Sequence, residues 1–155
     1  MQYIPKKTLL TIFALLLGIV VGGYLFSDTQ PRSFLTFHEC QNTCLEQKEL
    51  LGLLGSVGIQ KFPDLIPSLV KETEKTVVIK HPFPQSDLHY VIIPKKDIRD
   101  AQDISSEYAS YITDAYAVMS AIIREKNLRD YKIITNGPGY QTVGYLHFQL
   151  VSLLP

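Results

Sequence analysis

Residues 131–151 read YKIITNGPGYQTVGYLHFQLV. Two runs rich in β-formers, residues 131–135 and 145–151, flank a loop of turn-forming residues, 136–142. Alternation along the second run places Tyr145, His147 and Gln149 on one face of a strand and Leu146, Phe148 and Leu150 on the other. The second set reads as core. The first presents three hydrogen-bonding side chains pointing one way, spaced about 7 Å apart. The loop just upstream carries Gly137 and Gly139, with the Gln141 amide and the Thr142 hydroxyl nearby, and its backbone N–H groups are candidates to hold an anion. A neutral imidazole keeps a lone pair near pH 7, which makes His147 a candidate nucleophile toward phosphorus. A polar row on a solvated sheet face is the other reading of the same pattern.

Outward from this stretch, residues 105–126 carry Tyr108, Tyr111, Ile112, Ala115, Val118, Met119, Ile122 and Ile123 at helical 3-4 spacing. Asp103 or Ser105 is placed to cap that helix. Residues 69–72 and 76–80 read as a hairpin, and residues 88–93 as a third strand stopped by Pro94. Further upstream, residues 39–54 form a helix with Cys40, Cys44, Leu51 and Leu54 on one face, ended by Gly52, Gly55 and Gly58. Strands grouped around one long helix predict an α+β fold with a mostly antiparallel five-stranded sheet. The missing βαβ series argues against a doubly wound sheet.

Residues 8–26, TLLTIFALLLGIVVGGYLF, hold no charge over 19 positions. At about 1.5 Å per residue they reach roughly 28 Å, the depth of a bilayer's hydrocarbon core. Lys6 and Lys7 precede the run, whereas Asp28 and Arg32 cancel beyond it, so the positive-inside bias puts the N-terminus in the cytoplasm and the domain outside. A cleaved signal peptide shares this layout, but no small-x-small site follows promptly. The expected organisation is an anchor over 1–27, a linker and helical segment over 28–64, and a domain over 65–155. Of the 155 residues, 15 are basic and 15 acidic, which leaves no basic excess for nucleic acid. Cys40 and Cys44, with His38 nearby, are open to a disulfide, a metal or free thiols.

Two segments at this separation, LHYVIIPKKDI (88–98) and the stretch 131–150, resemble the histidine-triad (HIT) superfamily of nucleotide hydrolases and nucleotidyltransferases. The preceding TVVIKHPFPQ (76–85) is similar to that family's leading hairpin. The family's three motif histidines correspond to Tyr145, His147 and Gln149. The resemblance implies that His147 attacks an α-phosphorus to form a nucleotidyl-histidine intermediate, and that Asn136, Gln141, Thr142 and Gln149 bind the substrate's phosphate. His89 and Tyr145 are implied as supporting residues, with the phenol in reach of His89. The implied partner is a nucleotide or nucleotide conjugate, with no cofactor and no metal. Zinc-binding members use a histidine where Tyr145 stands, so His38 would have to replace it. Family members pair through the long helix, which implies a homodimer. A silent ligand- or partner-binding module at the membrane is the alternative.

Overall fold

The computed structural model describes residues 5–32 and 46–153. Strands β1 (Leu69–Glu72), β2 (Thr76–Lys80), β3 (Leu88–Pro94), β4 (Tyr131–Thr135) and β5 (Phe148–Ser152) form one sheet in the order β1-β2-β3-β5-β4. Every neighbouring pair is antiparallel. Helices α1 (Lys6–Phe26), α2 (Gln47–Lys61) and α3 (Ala109–Glu125) complete the described elements. The α+β class is as expected. The connection through α3 carries the chain past β3 to the far edge, and β5 then fills the gap between β3 and β4.

Apolar alternation explains the layering. From the sheet, Val78, Ile92, Phe148 and Leu150 meet Ala115, Val118, Met119 and Ile122 of α3, all buried. Each such side chain removed from water contributes about 1.5–3 kcal/mol. Asn127, in the left-handed region at φ 51, closes α3 and lets the Leu128 N–H reach the Ile123 carbonyl at 3.0 Å. The Ser105 side chain makes no capping bond; a short 3₁₀ turn, Ser106–Tyr108, leads into α3 instead. On the opposite face Val77, Val91 and Ile93 pack with Ile59 of α2 and with Tyr145.

Two elements depart from the sequence reading. Helix α2 runs through Gly52, Gly55 and Gly58 rather than ending at them, and Leu51 and Leu54 are exposed. Its buried residues are Glu49, Gly52, Leu53, Ser56 and Ile59, because tertiary packing outweighs the low helix propensity of glycine. Cys40, Cys44 and His38 lie outside the described residues. The last strand begins at Phe148, so Tyr145 and His147 precede the ladder.

Gly52 is where α2 touches the run that delivers the candidate nucleophile. A Cβ there would sit 2.5 Å from the Gly144 carbonyl oxygen. The Gly144 N–H in turn donates to the Lys48 carbonyl at 2.9 Å. Nothing lies within 4 Å of the Cβ position at Gly55.

Helix α1 buries none of its residues and is, by length and composition, able to cross a membrane. The segment leaving it does not hang free. Lys61 Nζ meets Asp28 Oδ2 at 2.6 Å and lies 4.7 Å from the Tyr24 ring centre. Four residues on, Arg32 is fully buried against fully buried Asp97.

Gly52→Ala forces a methyl onto the Gly144 carbonyl and is expected to cost about 1–3 kcal/mol, read as a lowered urea midpoint of the detergent-solubilised chain. Gly55→Ala is the control: open space and better helix propensity predict no loss and a gain of up to about 1 kcal/mol.

Candidate active site

Residues 144–147 leave the sheet and find partners elsewhere. The Tyr145 N–H donates to the Val143 carbonyl at 2.8 Å, and the Leu146 N–H donates to the Ile98 carbonyl at 2.6 Å. Tyr145 is buried, and its hydroxyl donates to the Pro94 carbonyl at 2.8 Å. That bond replaces the expected contact with His89: the phenol lies under α2, aimed at the end of β3. Burial, and behind it the Asp97 carboxylate, push the phenol well above its ordinary pKa, so it stays a donor.

His147 is half-buried, with Nδ1 2.9 Å from the Tyr145 carbonyl oxygen. A carbonyl only accepts, so Nδ1 must carry the ring proton and Nε2 keeps its lone pair. Thr135 at the end of β4 donates its hydroxyl to the His147 carbonyl at 3.1 Å. The backbone on both sides of the ring is therefore held.

His89 has the opposite tautomer. Its Nδ1 accepts the Gln85 N–H at 3.2 Å, which leaves the proton on Nε2 to donate to Gln149 Oε1 at 3.1 Å. Register puts His89 opposite Val151 and Gln149 opposite Val91, so both side chains occupy the same sheet face. Because the Gln149 oxygen is engaged, its NH₂ group is the end left to meet an acceptor. His81 stacks on His89 with ring centres 4.0 Å apart and planes 9° from parallel. Desolvation lowers the His89 pKa, the Gln149 bond opposes that shift, and the charge of His81 adds to it.

The turn before this run offers less to an anion than its glycines suggest. The N–H groups of Tyr140 and Gln141 both point at the Gly137 carbonyl, at 2.9 and 3.1 Å, and are engaged there. Asn136 is half-buried at the end of β4, whereas Thr142 is exposed and faces the start of α2. Gln141 is buried and lines a cavity of about 80 Å³ with Lys48, Glu49, Arg99, Asp100, Pro138 and Gly144. Its Nε2 and Glu49 Oε2 are buried there without a hydrogen-bond partner among the described residues. Register and a hydrogen bond thus bring His89 and Gln149 together on one face of β3 and β5, His147 lies just before that strand, and Gln141 turns toward α2. At the far end of β5 from His147 a cleft of about 490 Å³ opens, lined by Ser86, Asp130, Tyr131, Lys132, Val151, Ser152 and Leu153. Val151 and Lys132 pair across β4 and β5 on the face that carries His89.

Sequence reading missed Arg32, Glu49 and Gln85. A fully buried arginine leaves no local pattern, and Gln85 acts through its backbone. No group of three or more potential metal ligands occurs among the described residues.

Comparison with known proteins gives a consistent picture. Residues 61–153 match the family described as scavenger mRNA decapping enzyme C-term binding. The chain is 35% identical over 86 residues to a HIT-like protein of Chlamydia muridarum, covering 54% of this chain and 68% of that one. It is 24% identical over 123 residues to adenosine 5′-monophosphoramidase HINT3 of Danio rerio, covering 73% of this chain and 77% of that one. Among solved structures, a HIT family hydrolase from Legionella pneumophila has the same fold, with a TM-score of 0.55 at 22% identity over 61% of this chain and 88% of that one. The matched segment takes in all five strands and α3, and the chain therefore belongs to the scavenger decapping C-terminal family and, with it, to the histidine-triad superfamily.

Proposed function

We propose that the protein is a nucleotide hydrolase or nucleotidyltransferase acting through a nucleotidyl-histidine intermediate on His147. The observation that carries this is the bond from His147 Nδ1 to the Tyr145 carbonyl, which leaves the lone pair on Nε2 of a half-buried ring. In the proposed step Nε2 attacks the α-phosphorus in line. The bond to the leaving group breaks, and that group departs with the electron pair and takes a proton from the medium. Water, losing a proton, or another acceptor then attacks phosphorus, and the P–N electrons return to Nε2. The Gln149 NH₂ donates to a phosphoryl oxygen as charge builds up, in the way oxyanion donors act. Asn136 and Thr142 contact the phosphate or leaving group, and Gln141 would join them by turning its free amide out of the cavity beside Glu49. His89 holds Gln149, and Tyr145 holds the backbone under His147. The cleft at the far end of β5, with Lys132 on its wall, offers room for the rest of a nucleotide conjugate.

The same proposal includes a single membrane span over residues 8–26, supported by its length and lack of charge. Lys6 and Lys7 favour a cytoplasmic N-terminus with the domain on the other side. A homodimer through α3 is proposed as well; Tyr116, 48% exposed in the middle of that helix, would supply contact area. One observation favours a second reading, a binding module without turnover. Two of the loop N–H groups that would cradle an anion, those of Tyr140 and Gln141, are taken by the Gly137 carbonyl.

Incubation of the full chain in detergent micelles with adenosine 5′-phosphoramidate labelled at phosphorus separates the two readings. Turnover and an acid-labile protein label are expected, both lost by at least about 10³-fold in His147→Ala. Wild-type protein that neither turns over nor labels, with this probe or with dinucleotides and nucleotide sugars, would leave only the binding module. Gln149→Ala is expected to lower kcat about 10²-fold, as when one oxyanion donor is removed.

His89 gives a pH signature. Its folded pKa lies below the ordinary 6.5, so the unfolded chain binds the proton more readily. Its contribution is complete above that ordinary value and is lost as pH falls from there through the lowered one. Urea midpoints measured downward from pH 7.5 are expected to fall, and His89→Gln is expected to flatten that fall. Equal slopes in the two proteins would contradict the lowered pKa of His89.

A further inference from the structure

We propose that Arg32, on the segment leaving helix α1, is a positioning residue for His147, so that the stretch joining the helix to the domain is a working part of the site. The inference rests on the reading of His147 as nucleophile. Arg32 is fully buried, far from the sheet in sequence and adjacent to the site in space. Its Nη2 donates to both oxygens of Asp97, at 2.8 and 2.9 Å, and its Nη1 donates to the Gly144 carbonyl at 3.3 Å. The Gln30 N–H adds a third bond to Asp97, at 2.8 Å. A guanidinium holds a carboxylate and a carbonyl in fixed relation to each other, because its N–H groups form a rigid planar fork.

The Gly144 carbonyl fixes the plane of the peptide joining residues 144 and 145, and the next carbonyl, that of Tyr145, accepts the His147 Nδ1 proton. The other side of Gly144 is held by the Lys48 carbonyl, and Gly52 allows the close approach. Without the Arg32 arm the 144–145 peptide keeps only the bond from the Tyr145 N–H to the Val143 carbonyl and can tilt about it, and the Tyr145 oxygen moves off Nδ1. The ring then has no acceptor to select its tautomer, and a proton on Nε2 blocks attack.

Two variants separate positioning from bulk stability. Arg32→Lys keeps a positive charge opposite Asp97 but loses the fork. Arg32→Met combined with Asp97→Met removes both charges at similar volume, a replacement that folded proteins commonly tolerate. Both are made in the full chain in detergent micelles. The readouts are the two ring-nitrogen NMR shifts of His147 and the kcat and KM for adenosine 5′-phosphoramidate. Wild type is expected to show the proton on Nδ1 alone. Both variants are expected to show mixed tautomers and a kcat lowered about tenfold, with KM within about twofold. Folded variants with wild-type tautomer and wild-type kcat would overturn the proposal, whatever their unfolding midpoint. Absence of turnover in wild type would remove the nucleophile reading instead, and the nitrogen shifts would still report whether Arg32 sets the ring.

Discussion

A backbone run that leaves its sheet must satisfy its N–H and C=O groups one at a time, and the site depends on how residues 144–147 do so. The partners come from five separate places: Lys48 on α2, Arg32 beyond α1, Val143 next door, Ile98 after β3 and Thr135 on β4. Had the strand begun at Tyr145, the carbonyl of that residue would face along a ladder and not toward the His147 ring. Because it begins at Phe148, the carbonyl is available to hold the Nδ1 proton. The chemical state of the imidazole is thus set by the place where secondary structure starts.

The two histidines of this face are tuned in opposite senses by backbone groups of opposite kind. A carbonyl at His147 Nδ1 exposes a lone pair; an amide N–H at His89 Nδ1 turns the other nitrogen into a donor. Neither outcome needs a carboxylate, and both need a neutral ring. Charging His89 would set its Nδ1 proton against the Gln85 N–H, and the desolvation that lowers its pKa acts in the same direction. Stacking on His81 reinforces this, since two positive rings 4.0 Å apart repel.

The range of the forces involved decides how much of this was legible in the sequence. Strands β1, β2 and β4 carry their own β-forming residues and turn spacing and fall on the residues expected from them. The apolar stripe on α3 was equally plain, because its period matches the helix. The phase of α2 was not: its contact face includes Gly52 and Ser56, small residues suited to close approach to Gly144, which look like helix breakers in a linear reading. Likewise the family motif pointed to His147, His89 and Gln149, but the geometry that assigns their tautomers depends on carbonyls and N–H groups that no side-chain pattern encodes. Tyr145 fitted the alternation and still lies elsewhere, since a phenol that reaches the Pro94 carbonyl gains more by burial than by joining a solvated row.

The buried pair of Arg32 and Asp97 is best understood by what an apolar substitute would lack. Removing two charges from water costs several kcal/mol per ion, and their attraction offsets this only with good geometry, so such pairs are poor devices for stability alone. Arg32 is not even fully satisfied, for its Nε has no partner among the described residues. Two methionines would fill the space, but they could not aim a carbonyl. What the ion pair adds over them is direction: it fixes the Gly144 peptide, one residue ahead of the Tyr145 oxygen. The same fork ties that peptide to a segment only six residues beyond α1, short and pinned by its buried Arg32 and by the Asp28–Lys61 pair. A catalytic ring set by a backbone bond needs that backbone held from outside the sheet, and the segment entering from α1 is the element placed to do it.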